Sequence, residues 1–291
     1  MIPFTMTTDA RARWSVGVAT LAALSLIAST GEAGPWVRKP GSTYTKLNLA
    51  RFSADQSFNQ GVDTGLQYMG TTVNLYNEIG LPYRLQLITD VPYVFGRNNS
   101  PQGVNYLNNT FGDARFELGH GLVEGLPLLL AVEAKLPFYS TVADDDETFS
   151  AFSATRESFP DAGDGNVDVT PKVGAGYSFH PIPAWVTAEL GYRVRLDGFA
   201  DGIFASLGGG VFVLGEHVAL NMFSNAVFNV EDDPNPELRA TREFVYVQGS
   251  VFARYQPWFE GLGLSVGVGW LPYTKNAAAG NDISVGLSYE Q

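Results

Sequence analysis

The feature that most constrains this chain is an alternation of period two, carried through segment after segment. Val167, Val169, Val173, Ala175, Tyr177 and Phe179 alternate with Asp168, Thr170, Lys172, Gly174, Gly176 and Ser178, with Pro171 falling in the apolar set. Val186, Ala188, Leu190, Tyr192, Val194 and Leu196 alternate in the same way with Thr187, Glu189, Gly191, Arg193, Arg195 and Asp197. Successive side chains of a strand point to opposite faces, so each segment carries one apolar face and one polar or small face. Leu128, Leu130, Val132, Ala134, Leu136 and Phe138 do this against Glu133 and Lys135, and Leu262, Leu264, Val266, Val268 and Trp270 against glycines and Ser265. No long segment after residue 33 prefers the helical period.

This pattern predicts strands near 41–53, 68–79, 82–96, 111–123, 127–139, 164–179, 184–197, 201–214, 217–230, 241–256, 260–272 and 281–290, about twelve in all. They are longer than the five or six residues usual in soluble sheets, and they suit tilted strands that cross a bilayer and project beyond it. Short links (Gly80-Leu81, Glu124 to Leu126, His180 to Pro183, Gly215-Glu216, Pro257 to Phe259) alternate with longer ones near 54–67, 97–110, 140–163, 231–240 and 273–280. The link at 198–200 breaks the alternation. Short turns on one side and long loops on the other, with an even strand count, are the plan of an outer-membrane barrel whose two termini are periplasmic. The expected fold is all-β, a single transmembrane antiparallel up-and-down β-barrel over residues 34–291. Tyr83, Tyr93, Phe95, Tyr139, Trp185, Trp258, Phe259, Trp270 and Tyr273 fall near strand ends, where interface girdles form.

The first segment bears on the compartment. Arg11 and Arg13 precede an apolar run from Trp14 to Ile27, and Gly31-Glu32-Ala33 offers a small-x-small cleavage site. The run is shorter than the roughly 20 residues a membrane-spanning helix needs, so residues 1–33 read as a signal peptide for export. Composition narrows the chemistry. Net charge is -12, with 18 Lys plus Arg against 30 Asp plus Glu, which leaves nucleic acid little to hold. With no cysteine and three histidines, there is no disulfide framework and little material for a metal centre, and neither a metal nor a cofactor is expected.

One stretch is similar to a known family. The segment 75–95, LYNEIGLPYRLQLITDVPYVF, resembles a hairpin of the outer-membrane proteins grouped as the MetA-pathway of phenol degradation family. The likeness continues through Gly112-Asp113-Ala114-Arg115, Lys135-Leu136-Pro137, Gly165-Asn166-Val167-Asp168 and Glu189-Leu190-Gly191-Tyr192-Arg193, and covers roughly residues 70–225. The resemblance implies an outer-membrane channel or transporter for aromatic or other hydrophobic compounds.

If the apolar faces meet lipid, the inward set contains Glu78, Arg84, Asp90, Asp113, Arg115, Glu117, Glu133, Lys135, Asp168, Lys172, Glu189, Arg193, Arg195, Asp197 and Arg254. Both signs are present in near balance, as a charged constriction or as an ion-pair network that fills the interior. Acidic clusters at Asp144 to Glu147 and at Glu231, Asp232, Asp233 and Glu237 fall in expected external loops, where they are solvated or bridge to lipopolysaccharide through a divalent cation. The expected partners are the lipid bilayer, lipopolysaccharide, the barrel-assembly machinery and a small-molecule solute. A barrel acting through its loops in structure or adhesion is the alternative. An acyl hydrolase would need serine, histidine and an orienting group together, yet His120, His180 and His217 all fall on the expected periplasmic side and no Gly-x-Ser-x-Gly occurs, so no enzyme is expected.

Overall fold

A computed structural model describes residues 34–59, 62–63, 65, 67–101, 103–139, 160, 162–163, 165–196, 199–214, 217–231, 242–254 and 261–291. The expected signal peptide, Asp197, Trp258, Phe259 and the acidic clusters apart from Glu231 lie outside these residues. The strands are β1 (Thr43–Asn59), β2 (Val62–Asp63), β3 (Gln67–Leu81), β4 (Leu85–Asn99), β5 (Asn105–Phe111), β6 (Asp113–Val123) and β7 (Leu126–Pro137). They continue with β8 (Asp168–Ser178), β9 (Ala184–Arg195), β10 (Gly202–Val213), β11 (Val218–Asn229), β12 (Glu243–Arg254), β13 (Leu262–Lys275) and β14 (Ala278–Glu290).

Neighbours pair antiparallel in chain order, and β14 returns to β1 from Tyr44 opposite Glu290 to Ser57 opposite Ala278. β5 and β6 both lie against β4 and together make one stave, interrupted at Gly112, while β2 pairs only with the last residues of β1. The result is a closed antiparallel barrel of 12 strands. Closure through β14 and β1 pairs the two ends of the sheet, as lipid surroundings require.

Alternation assigns the two faces. Leu130, Val132, Val173, Leu190, Leu264 and Val268 are 46–56% exposed on the outside, whereas Glu133, Lys172 and Arg193, from the same strands or their neighbours, are buried within. Outward aromatics meet edge to face: Tyr93 with Phe95 and with Phe111 at centroid distances of 5.0 and 5.1 Å toward the long-loop end, and Tyr177 with Phe179 at 5.0 Å toward the short-turn end. Trp185, expected in a girdle, instead faces inward and packs on Phe212 at 5.0 Å, because odd positions of β9 point to the lumen.

Four connections differ from expectation. The β3–β4 turn lies at Pro82–Arg84 rather than Gly80-Leu81, since Tyr83 and Arg84 both take positive φ (61° and 58°). The link expected over 273–280 shrinks to Asn276-Ala277, with Asn276 at φ 58°, a conformation asparagine tolerates in two-residue hairpins. On the far side, β1, β4 and β5 extend into segments read as loops, reaching Asn59, Asn99 and Asn105.

Candidate functional site

The inward faces of β4, β6, β7, β8 and β9 form a charged wall. Registers place Asp90, Arg115, Lys135, Asp168 and Arg195 in one row across these five strands, with Glu117 opposite Glu133 one step toward the short-turn end. Lys172 is the hub of the lower part. Its Nζ pairs with Glu117, lies 3.0 Å from Glu133 Oε2 and 3.9 Å from Glu189 Oε2, and stands 5.4 Å from the Phe204 ring centroid. Above it, Lys135 Nζ is 2.9 Å from Asp168 Oδ2 and 3.6 Å from Asp113 Oδ2, and Asn166 Nδ2 donates to Asp168 Oδ1 at 3.0 Å. Arg193 Nε and Arg195 Nε stand further off, 3.8 and 4.0 Å from Asp168 oxygens. Charges this deep are tolerated only when paired, and removing one partner of such a pair costs about 3–5 kcal/mol.

The opposite wall is built mostly of small residues. Inward positions of β13 and β14 carry Gly263, Ser265, Gly267 and Gly269, then Asp282, Ser284, Gly286 and Ser288. Across it, Tyr246 OH donates to Asp282 Oδ2 at 2.8 Å, and Gln248 Nε2 donates to Ser284 Oγ at 3.2 Å. Long charged side chains on one wall thus face small ones on the other.

Both ends of the lumen hold inward-folded chain. At the short-turn end, residues 34–42 cross the mouth as a strap. Its path lies where the wall has no side chains: a Cβ added at Gly80 would overlap the Lys39 carbonyl oxygen, one at Gly121 would meet Val37 at 3.0 Å, and one at Gly176 would meet Pro35 and Trp36 at 2.8 Å. Arg38 fastens it. Nε donates to Glu78, Nη1 donates to Glu290 Oε1 at 2.9 Å, and the Arg38 backbone N–H donates to Gln86 Oε1 at 2.8 Å. Burial disfavours the charged guanidinium, but Glu78 and then Glu290 outweigh it and hold Arg38 above its ordinary value. A cleft of about 320 Å³ opens between the strap and the β6–β7 turn, beside Arg84.

Toward the long-loop end, Phe52, Tyr68, Val94, Phe204, Val227, Phe244 and Tyr246 form an apolar cluster that Ala162 joins from the chain ahead of β8. Asn108 Nδ2 donates to the Pro160 carbonyl at 2.9 Å, and the Tyr139 hydroxyl, which donates to Asp113 Oδ1 at 2.9 Å, accepts from the Gly165 N–H at 2.7 Å.

Of the candidate lumen residues, Asp90, Asp113, Arg115, Glu117, Glu133, Lys135, Asp168, Lys172, Glu189, Arg193 and Arg195 lie on the one charged wall. Glu78 is inward but belongs to the strap clasp. Arg254 sits at the short-turn mouth, its side chain 39% exposed and 3.4 Å from Glu290. Arg84 is not in the lumen: the turn at positive φ takes it out of the strand alternation and leaves it exposed beside the cleft. Arg38, Glu290 and Asp282 were missed. Asp282 has inward parity with Ser284 and Ser288 and was legible on that ground, whereas Arg38 precedes the first strand and carries no periodic signal.

A closed barrel with an apolar exterior, aromatic ends and a polar, charge-paired interior is the fold of an outer-membrane β-barrel. Among solved structures, the chain is similar to the COG4313 outer membrane channel from Pseudomonas putida F1, with a TM-score of 0.60 at 12% identity, over 87% of this chain and 97% of that one. It is also similar to the translocator domain of the autotransporter NalP from Neisseria meningitidis (TM-score 0.49, 9% identity, 87% and 89% covered) and to the Pseudomonas putida toluene transporter TodX (TM-score 0.44, 9% identity, 94% of each). The first of these likenesses shows a shared fold. No family model and no curated protein matches the sequence.

Proposed function

We propose that this protein is an outer-membrane channel that passes small, poorly charged solutes, aromatic or hydrophobic ones among them. The observation that carries the reading is the pairing of an apolar outer face with a lumen in which the signs nearly cancel: Arg115, Lys135, Lys172, Arg193 and Arg195 against Asp90, Asp113, Glu117, Glu133, Asp168 and Glu189. Such an interior offers little net field to concentrate ions of either charge. The similarity of residues 75–95 and the motifs after it to the phenol-degradation family supports the hydrophobic solute class. On this reading residues 1–33 are removed on export, the strap and both termini are periplasmic, and the lipopolysaccharide leaflet surrounds the long-loop end. The charged wall narrows the path, and solutes pass along the small-residue wall of β13 and β14.

The test is planar-bilayer conductance of the refolded mature chain, with reversal potential measured across a salt gradient. Replacing Arg193 and Arg195 together by Glu changes the wall by four charges and should move ion preference toward cations. An unchanged reversal potential in a conducting barrel would remove both residues from the pore. A second reading has its own support: side chains of Lys135, Lys172 and Arg193 are no more than 3% exposed, as in a filled barrel acting in structure or adhesion. A folded barrel that never conducts would favour it.

A further inference from the structure

Registers arrange the outward side chains of the barrel in rows around its wall. Tyr93, Val73, Leu49, Val285 and Val266 make one unbroken apolar and aromatic row across β4, β3, β1, β14 and β13. The next row toward the long-loop end holds Phe95, Thr71, Arg51, Ile283 and Val268, and the one after it Arg97, Met69, Ser53, Asn281 and Trp270. The lipid-facing belt thus admits polar and charged side chains from this height on, level with and beyond the aromatic pair Tyr93 and Phe95. Arg51 and Arg97 converge there on one weak acceptor. Arg97 Nη2 donates to Met69 Sδ at 2.9 Å, and Arg51 Nη2 donates to the same sulfur at 3.8 Å. A thioether bears no charge and accepts poorly, so it neutralises neither guanidinium.

Among the described residues, no carboxylate forms an ion pair with either arginine: Asp55, further along β1, is exposed and pairs with neither. Lys275, a cation at the same end of β13, differs in that its Nζ lies 2.9 Å from Glu243 Oε1. Arg51 is exposed and Arg97 half-buried, so both can be reached from outside. Two cations held this close repel unless an anion lies between them. Paired guanidiniums match a phosphate, which accepts parallel N–H bonds. A phosphate monoester, with about -1.5 to -2 charge at pH 7 and three acceptor oxygens, suits two cations better than the singly charged diester of a glycerophospholipid. Below the pair, Leu49 and Val285 are 51% and 46% exposed and offer acyl chains a surface, which a soluble ion would leave unused.

We infer that Arg51 and Arg97 form a headgroup site on the outer wall of the barrel for a phosphate monoester of lipid A, the acylated glycolipid of the lipopolysaccharide leaflet, with its chains against Leu49, Val73 and Val285. The inference rests on the reading that places the long-loop end in that leaflet.

The experiment is native mass spectrometry of the full refolded chain in detergent micelles, titrated with bisphosphorylated lipid A, fully dephosphorylated lipid A, phosphatidylglycerol and inorganic phosphate, with folding of each variant checked by heat-modifiability. Saturable binding of lipid A is expected, at least tenfold tighter than the dephosphorylated form and at least threefold tighter than phosphatidylglycerol. Arg51→Gln and Arg97→Gln should each lose at least fivefold, and Arg51→Lys and Arg97→Lys, which keep the charge and lose the fork, at least twofold. Lys275→Gln, which removes a cation that already has a carboxylate, should stay within twofold of wild type. Equal binding of dephosphorylated lipid A, wild-type affinity in the folded arginine variants, or displacement of lipid A by millimolar inorganic phosphate would each overturn the site. Micelles impose no orientation, so the leaflet is tested separately: Val104→Cys, exposed between β4 and β5, should react with a membrane-impermeant maleimide on intact cells. A thiol that stays unreacted while the micellar barrel binds lipid A sinks the orientation and leaves the phosphate site, whereas a reactive thiol without lipid A selectivity sinks only the site.

Discussion

Cutting the clasp of the N-terminal strap tests the interior in a way that does not depend on knowing the solute. Arg38→Ala removes the guanidinium that joins Glu78 and Glu290, whose side chains are 3% and 42% exposed, while Arg38 itself is 17% exposed. Stranding a buried carboxylate costs about 3–5 kcal/mol. Here the loss is smaller, because the Tyr76 hydroxyl still donates to Glu78 Oε1 at 2.9 Å, and the exposed Glu290 pair contributes at most about 1 kcal/mol. A value of about 2–3 kcal/mol remains, and at about 1.4 kcal/mol per factor of ten it shifts the docked-to-released ratio roughly 30- to 140-fold. The chain has no cysteine, so Val37→Cys supplies a single thiol on the strap, half-buried against Gly121. Its maleimide-labelling rate follows the released population when docking is fast relative to labelling. Adding Arg38→Ala should raise that rate by the stated factor, whereas Glu290→Gln should raise it less than about fivefold. Equal labelling rates with and without Arg38 would refute the clasp.

Other expectations follow from the same geometry. Gly80→Val should release the strap while leaving the barrel closed, since a Cβ there overlaps the Lys39 carbonyl oxygen; wild-type labelling of the Val37→Cys thiol in that variant would contradict it. Leu190→Arg should cost roughly 2–4 kcal/mol if that outward position lies near the bilayer midplane, and Glu189→Gln beside it about 1–2 kcal/mol or less, with equal heat-modifiability of both counting against the register. Lys172→Met should lower the urea midpoint by a change of at least about 3–5 kcal/mol, because Glu117, Glu133 and Glu189 lose their common cation, and adding Glu133→Gln should recover part of it. A single variant as stable as wild type would show that the hub does not hold the wall.

How much of this was legible in the sequence depended on which physical rule set each feature. Alternation showed that Glu133, Lys172 and Arg193 share a face with one another and not with Val132, Val173 and Leu190, because side-chain direction depends only on parity along a strand. It also showed the strand count, since twelve stretches of sufficient length must close in pairs. It did not show where the strands stop. β13 runs on to Lys275 and β14 begins at Ala278, and the only local sign was Asn276, an ordinary turn residue. The turn at Pro82–Arg84 misled for a similar reason: Gly80-Leu81 reads as the breaker, yet Gly80 stays in β3 and serves as the place where the strap's backbone comes close.

Depth was the quantity the alternation could not carry. Parity places Glu117, Glu133 and Lys172 on the inside, but whether they meet depends on the stagger between β6, β7 and β8, and stagger is a property of the closed sheet rather than of any one strand. Closure sets Glu117 opposite Glu133, a like-charge pair that no local rule favours, and it brings Lys172 from β8 between them. The same stagger puts Lys135 opposite Asp168 and takes up that carboxylate before Arg193 reaches it. A list of inward charges reads only as balanced, whereas the folded wall sets Asp90, Arg115, Lys135, Asp168 and Arg195 along one row and gathers Glu117, Glu133 and Glu189 around Lys172. The near-cancellation of charge belongs to composition; which charges meet is made by register.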